Sequence, residues 1–335
     1  LSLQSLFCVS CMTWVMFRIG DWSKALKACS GVIRDDEVND ASRSAAYLVI
    51  GQIKAYRGDL KSAMKAIEQS DKIAMRINFK LMVLLNLWAK AVILEFDRKW
   101  EESRQYYQQL VDYWQESEDR HDVLGGICAA ATFFADHNHH QDLSKCVSAS
   151  AAIAEETGNP EAIGVLSYTL GMSSLLDDRL EEAFKNFDKA LNLFKELEVP
   201  LQVIMTQCQL GKVMIQLKKK EEGITHLKQA HLSAKKLGMR PISSKIESIL
   251  AESGEVATDR RDTDHSTRKS FGGLTSRQFE ILQALSEGLS NKEIASRLFL
   301  STRTVDMHVR NIFDTLNCRN RADAVKVAMD HGILD

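Results

Sequence analysis

The stretch Tyr47–Ile67, "YLVIGQIKAYRGDLKSAMKAI", decides how most of this chain folds. Its first ten residues spread apolar side chains over one helical face around Gly51. A short turn follows, and a second amphipathic run begins at Leu60 with the small Ala63 three positions on. The same arrangement returns in "GDWSKALKAC", "RKWEESRQYY", "DRLEEAFKNF" and "KKKEEGITHL": a turn, a large or long side chain, then a small residue three positions later. Aligned on Trp22, Leu60, Trp100, Leu180 and Lys220, the copies are 38, 40, 80 and 40 residues apart. The doubled step leaves room for a degenerate copy at "HQDLSKCVSA", aligned on Leu143.

The first helix of each copy keeps even better time. Gly51, Ala91, Ala131, Gly171 and Gly211 recur every 40 residues, with Cys11 one period earlier. A small residue at a fixed point of each helix lets a neighbouring helix approach closely. A helix pair per copy, stacked on its neighbours, is an α-solenoid. With only 3 prolines in 335 residues, long helices run uninterrupted, and an all-α protein is expected.

Bulk properties limit what else the chain can be. Hydrophobic residues at 45% and charged residues at 26% describe a globular chain with no membrane span. The net charge of −2 gives no global attraction to nucleic acid, so any such binding must come from a local patch. Seven cysteines without framework spacing imply free thiols and a cytoplasmic setting. Cys8 and Cys11 read as two small core residues one turn apart. The opening "LSLQSLFCVSCMTWVMF" has no basic start and is broken by Ser, Gln and Thr, so it reads as a repeat helix rather than a signal peptide. The chain begins on Leu rather than Met, as expected of a fragment or a processed product. His137, His139 and His140, with Asp136, lack a second ligand group at helical spacing; a solvated turn is expected there, and no metal. No phosphate-binding G-x-x-x-x-G-K-[ST] pattern, cofactor motif or catalytic constellation occurs, so an enzyme is not expected.

Residues 1–251 resemble the tetratricopeptide (TPR) family in a long-period form, through Leu170-Gly171, Leu210-Gly211 and the second-helix alanines Ala25, Ala63 and Ala183. The resemblance implies a sensor or interaction unit that binds an effector or protein on its concave face. From 252 to 272, "ESGEVATDRRDTDHSTRKSFG", apolar periodicity disappears and charges of both signs alternate, which reads as a flexible tether.

Residues 273–335 then show helix start signals. Thr275-x-x-Gln278 and Ser290-x-x-Glu293 are capping boxes, Ser301 and Asn320 can cap two more helices, and Gly288 stops the first. Four helices are expected at 276–286, 291–298, 302–316 and 321–330. The short join between the second and third is helix-turn-helix geometry. Val305, Val309, Ile312, Phe313 and Leu316 form an inward stripe, which leaves Arg303, Asp306, Met307, Arg310 and Asp314 outward, with Thr302, Thr304, His308 and Asn311 near the edges.

This segment resembles the LuxR/FixJ class of bacterial DNA-binding domains. The matching residues include Leu274-Thr275, Arg277, Glu280, Gly288, Ser290-Asn291-Lys292-Glu293-Ile294-Ala295, Thr304-Val305, His308, Asn311-Ile312, Leu316, Arg321 and Ala324-Val325. The resemblance implies that helix 302–316 reads the major groove of double-stranded DNA. It also implies that Lys292, Thr304, His308 and the helix amino ends hold phosphates. Hydroxyls and exposed amides from Ser301 to Thr304 suit phosphate oxygens, Arg310 can fork onto guanine, and Met307 can touch a thymine methyl. It further implies a homodimer through the fourth helix at Val325, Ala328 and Met329.

The family usually carries Lys where this chain has Asp306. Three roles are open to it: accepting from a cytosine amino group, pairing with Arg310 or Arg303 so as to aim an arginine, or marking a loss of DNA binding. An acid four residues before a base on one helix face favours the second. The expected protein is a bacterial transcription regulator. Two alternatives stand beside it: the carboxyl-terminal part of a larger MalT-like ATP-dependent regulator, and a TPR scaffold whose terminal domain docks protein.

Overall fold

A computed structural model of the chain describes residues 3–116, 120–253, 276–298, 302–316, 318, 320–330 and 334. All secondary structure among the described residues is helical. It divides into two compact units, Leu1–Ile246 and Glu247–Asp335.

The repeat unit contains α1 (Leu3–Arg18), α2 (Trp22–Arg34), α3 (Asp40–Tyr56), α4 (Leu60–Arg76), α5 (Lys80–Phe96), α6 (Trp100–Tyr113), α7 (Leu124–Asp136), α8 (His140–Thr157), α9 (Pro160–Leu176), α10 (Leu180–Glu196), α11 (Pro200–Gln216) and α12 (Lys220–Leu237). The last helix, α13 (Arg240–Glu252), runs through its carboxyl boundary. It reaches Glu252, where the tether was expected to begin; the rest of that tether, from 254, lies outside the described residues.

Within the 40-residue pair, the turns themselves recur every 20 residues, one per helix. Gly58, Asn78, Arg98, Asn138, Gly158, Asp178, Glu198, Lys218 and Gly238 all adopt positive φ. Most of these turns carry the hydrogen bond that closes a helix on a left-handed residue: Asp59 N donates to Lys54 O, Lys99 N to Leu94 O and Lys219 N to Met214 O, at 2.8–3.0 Å. The next residue then serves as the amino cap of the following helix. Gly, Asn and Asp take this conformation readily; Arg98, Glu198 and Lys218 hold it at a steric cost.

In the α3–α4, α5–α6 and α11–α12 pairs, the first helix meets the second where both carry small residues. Ser103 Oγ donates to Ala91 O at 2.9 Å. A Cβ on Gly211 would lie 2.8 Å from Gly223 O, and one on Gly223 would lie 2.6 Å from Gly211 O. A Cβ on Gly51 would strike the Ile67 side chain, which is fully buried.

Three sequence expectations need correction. The α1–α2 turn at Gly20 lies 38 residues before Gly58, so the slot of Gly51 is filled in α1 by buried Thr13, and Cys11 is exposed rather than in the core. Helix α8 starts at His140, which puts Leu143 in the small-residue slot and not at the helix start. The histidine turn is not simply solvated. Asn138 is its left-handed residue, but His137 stacks on Phe133 with centroids 4.3 Å apart and lies 5.0 Å from Trp100, while burial lowers the His139 pKa. Among the described residues no group of three or more His, Cys, Asp or Glu is placed to hold a metal ion.

The odd-numbered helices share one interior, because their side chains meet from pair to pair. Trp14 of α1 sits edge-on to Trp88 of α5, and Thr132 of α7 hydrogen-bonds Tyr168 of α9 at 2.7 Å. Leu48, Trp88, Cys128, Tyr168 and Cys208, one per period, are all buried. The inner wall expected to receive an effector is thus packed largely on itself. Two polar clasps lie at its margins. In one, Asp136 receives Lys245 at 2.7 Å and Lys212 at 3.6 Å, beside Glu95, which accepts from Tyr107 Oη at 2.8 Å. Burial pushes the Glu95 carboxyl up. It pushes Asp136 up as well, but the two lysines outweigh burial and leave Asp136 low.

In the other clasp, Trp14 Nε1 donates to Asp122 Oδ1 at 2.8 Å, and Arg18 donates to Glu161 with its guanidinium 2.9 Å from His121 Nε2. His121 Nε2 lies 3.0 Å from Glu161 Oε2. The hydrogen bond to Glu161 raises the His121 pKa above its ordinary 6.5. Burial raises Glu161, but His121 and Arg18 together outweigh it and hold the carboxyl below its ordinary 4.5.

Gly211→Ala should destabilise the repeat unit by about 1–3 kcal/mol, because the helices cannot separate to admit the methyl. Lys218→Gly, by relieving a left-handed residue, should stabilise it by up to ~1 kcal/mol once the flexibility of glycine in the unfolded chain is subtracted. Urea midpoints measure both, and a loss on Lys218→Gly would refute the strain argument. For the α1 clasp, the His121 contribution is complete below 6.5 and lost as pH rises through its raised folded value. The Glu161 contribution is present above 4.5 and lost as pH falls through its lowered folded value. Stability from the pair should therefore be greatest between those two pH values, decline as pH rises through the raised His121 value, and lose that alkaline slope in His121→Gln.

Candidate nucleic-acid interface

The terminal unit contains α14 (Ser276–Ser286), α15 (Asn291–Leu298), α16 (Thr302–Leu316) and α17 (Arg321–Asp330), the four spans expected from the caps. Its core joins Ile281, Leu282 and Leu285 of α14 to Ile294 and Ala295 of α15, and to Val305, Val309 and Ile312 of α16. Phe313 and Leu316 pack half-buried against it, completing the inward stripe of α16.

Local chemistry sets the angles. Ser290 and Glu293 form a reciprocal cap: Ser290 N donates to Glu293 Oε2 at 2.7 Å, and Glu293 N donates to Ser290 Oγ at 3.3 Å. The Ser290 hydroxyl and amide hold the Glu293 carboxyl below the usual range. Asn320 Oδ1 accepts from Asp323 N at 2.9 Å and starts α17. Gly288 supplies the positive φ that stops α14. Arg321 reaches back from α17 to the carbonyls of Leu285 and Leu289, satisfying the end of α14. Thr275 of the first expected capping box lies outside the described residues.

The face of α16 opposite the stripe carries Thr302, Asp306, Arg310 and Asn311, all exposed, and His308 is half-buried at its edge. Lys292 is exposed on the first turn of α15. Ser301, and the side chains of Arg303, Thr304 and Met307, lie outside the described residues. Arg297 of α15 pairs with Glu287, whereas Arg310 forms no ion pair among the described residues.

Of the two arginines expected to pair with Asp306, Arg303 has its side chain outside the described residues, and Arg310 forms no ion pair with Asp306; the Asp306 Oδ1 accepts from Asn291 Nδ2 at 2.6 Å, which links α16 to the first residue of α15. Residues 15 apart on two helices have no readable register in a sequence, so Asn291 was visible only as part of a family pattern. The structure also alters the expected dimer face. Ala328 is fully buried in the domain's own core and Val325 packs against that core, so of the three residues only Met329, 51% exposed, projects outward.

Residues 273–328 match the family described as bacterial regulatory proteins, luxR family. Similar proteins include the oxygen regulatory protein NreC of Staphylococcus carnosus, 38% identical over 71 residues, which are 21% of this chain and 33% of that protein. The nitrate/nitrite response regulator protein NarP of Escherichia coli is 38% identical over 81 residues, 22% of this chain and 38% of that protein. The chain spans about a third of the length of these two relatives. Among solved structures, a Rap protein complexed with competence and sporulation factor aligns with a TM-score of 0.51 at 13% identity, covering 98% of this chain and 95% of that one. At that identity it speaks to the fold alone, and the fold is that of a TPR-like helical repeat protein. No described helix is long and apolar enough to cross a membrane. The chain thus ends in a helix-turn-helix domain of the luxR family, carried behind a TPR-like α-solenoid.

Proposed function

We propose that this protein is a DNA-binding transcription regulator in which α16 enters the major groove of operator DNA and the helical repeats receive the regulatory signal. One observation carries the reading: the α15–α16 pair buries Val305, Val309 and Ile312 and leaves Arg310, Thr302 and Asn311 exposed on the opposite face. An exposed guanidinium on that face, with no ion pair among the described residues, is placed to fork onto guanine O6 and N7. Lys292 and the amino ends of α15 and α16 supply charge and amides for phosphates. Ser301, Arg303, Thr304, Met307 and His308 complete the proposed contact set, and Met329 is the outward residue of α17 through which two copies would pair. The repeats would take up an effector or a protein; the Rap protein named above was solved with competence and sporulation factor bound. Because the inner wall is self-packed, such a partner would act at the clasps of α1 and of Lys245.

A second reading has one observation in its favour: a longer regulator in which a further helix covers α1. Val15 is 52% exposed and Met12 and Ile19 are similarly open, while Ile53, Ile93 and Phe133, its counterparts in α3, α5 and α7, are buried. Protection of Cys11 from alkylation in the protein isolated from its host would support it, and full reactivity there would dismiss it.

Gel shifts at two salt concentrations test the main reading. Specific binding should fall steeply with salt as counterions are released. Arg310→Ala should weaken it by about 1–3 kcal/mol on the preferred duplex, with a smaller effect on random DNA. Equal losses on both would reduce Arg310 to a phosphate contact, and a complete absence of sequence preference would favour a protein-docking scaffold.

A further inference from the structure

Asp306 stands on the exposed face of α16, one turn before Arg310, where a free carboxylate repels phosphates. Yet it is held in place. Asn291 donates to its Oδ1 at 2.6 Å from the first residue of the neighbouring helix, and Oδ2 accepts no bond among the described residues. The contact fixes one oxygen and leaves the other to face whatever lies against α16.

Base-edge chemistry narrows what that can be. In the major groove guanine shows two acceptors, and thymine an acceptor and a methyl. Adenine shows its amino donor beside the N7 acceptor. A carboxylate accepts but cannot donate, so guanine and thymine oppose it with lone pairs or offer it nothing, while adenine offers its amino donor with the repelling N7 lone pair beside it. Cytosine presents the N4 amino group alone, and this is the edge a fixed carboxylate oxygen fits.

We propose that Asp306 reads a cytosine, and that Asn291 is the positioning residue that aims it. This rests on the reading of α16 as the groove-entering helix and adds to it a base preference at one position of each half-site. Arg310 and Asp306 then divide the labour on one helix face. The cation takes guanine acceptors, and the anion takes the cytosine donor, opposes guanine and thymine, and disfavours adenine through its N7 lone pair. The amide of Asn291 also offsets part of the negative charge, which limits the repulsion that an unbonded Asp306 would exert on the backbone.

Selection of the full-length chain against random duplexes tests this, using the wild type, Asp306→Asn, Asn291→Ala and Asn291→Gln, each checked for folding by thermal melting. The wild type should enrich a C·G pair at one position. Asp306→Asn should change that position alone towards A·T, because a side-chain amide matches adenine N6 and N7. Asn291→Ala should keep the consensus but lower the preference for C by roughly tenfold, the scale of one good base contact. Asn291→Gln, which retains the donor, should recover part of it. An unchanged consensus with Asp306→Asn overturns the proposal and leaves Asp306 as a tie between helices. A uniform loss across all sequences with Asn291→Ala, unrelieved by Asn291→Gln, overturns the positioning role. If the wild type enriches nothing, the regulator reading itself fails, an outcome distinct from both.

Discussion

The repeat unit depends on a backbone constraint met at twenty-residue steps over most of its length from Gly58 to Gly238: the chain takes a left-handed step to leave one helix and start the next. That step lets the departing helix satisfy its last carbonyls and puts the following residue at an amino cap, so the connection needs few residues. Glycine, asparagine and aspartate make the step at little cost. Where Arg98, Glu198 and Lys218 make it, the packing of the two helices they join must outweigh the strain. The packing is close because small residues meet at the crossing, as at Gly211 and Gly223, or Ala91 and Ser103. Turn and crossing together hold each pair in one geometry, and repetition of that geometry brings helices far apart in sequence to one interior.

That interior explains why charged groups appear inside a helical array. Arg18 meets Glu161 over 143 residues of chain, and Lys245 meets Asp136 over 109. Contacts of this reach arise only where the array curves back on itself. Each buried charge there is paired or hydrogen-bonded, as the cost of an unpaired one requires.

In the terminal domain the logic is reversed. Its inward stripe is continuous and apolar, and its caps are satisfied within a few residues, so the domain is specified locally. The outward face is where it has freedom to differ. Asp306 shows how: a single carboxylate alters the sign of that face, and its meaning depends on Asn291, a neighbour supplied by another helix.

Much of this was legible in the residues. The apolar spacing around Gly51, the recurrence of small residues, the capping pairs at Ser290 and Asn320 and the stripe from Val305 to Leu316 are local signals, and each produced the helix or contact it implied. The twenty-residue period was less visible, because the residues at the turns vary from glycine to lysine and share only a backbone angle. The register of α1 and α8 slipped for the same reason: side chains at the compared positions resembled one another while the turns that set the count did not. Sequence alone thus determined an all-α chain of paired helices ending in a helix-turn-helix domain, since periodicity and capping act within a turn or two of the chain. Only tertiary structure decided that the inner wall is filled, that Ala328 faces inward and that Asp306 answers to Asn291. Each of these depends on which helix faces share a space, and no spacing along one helix encodes that.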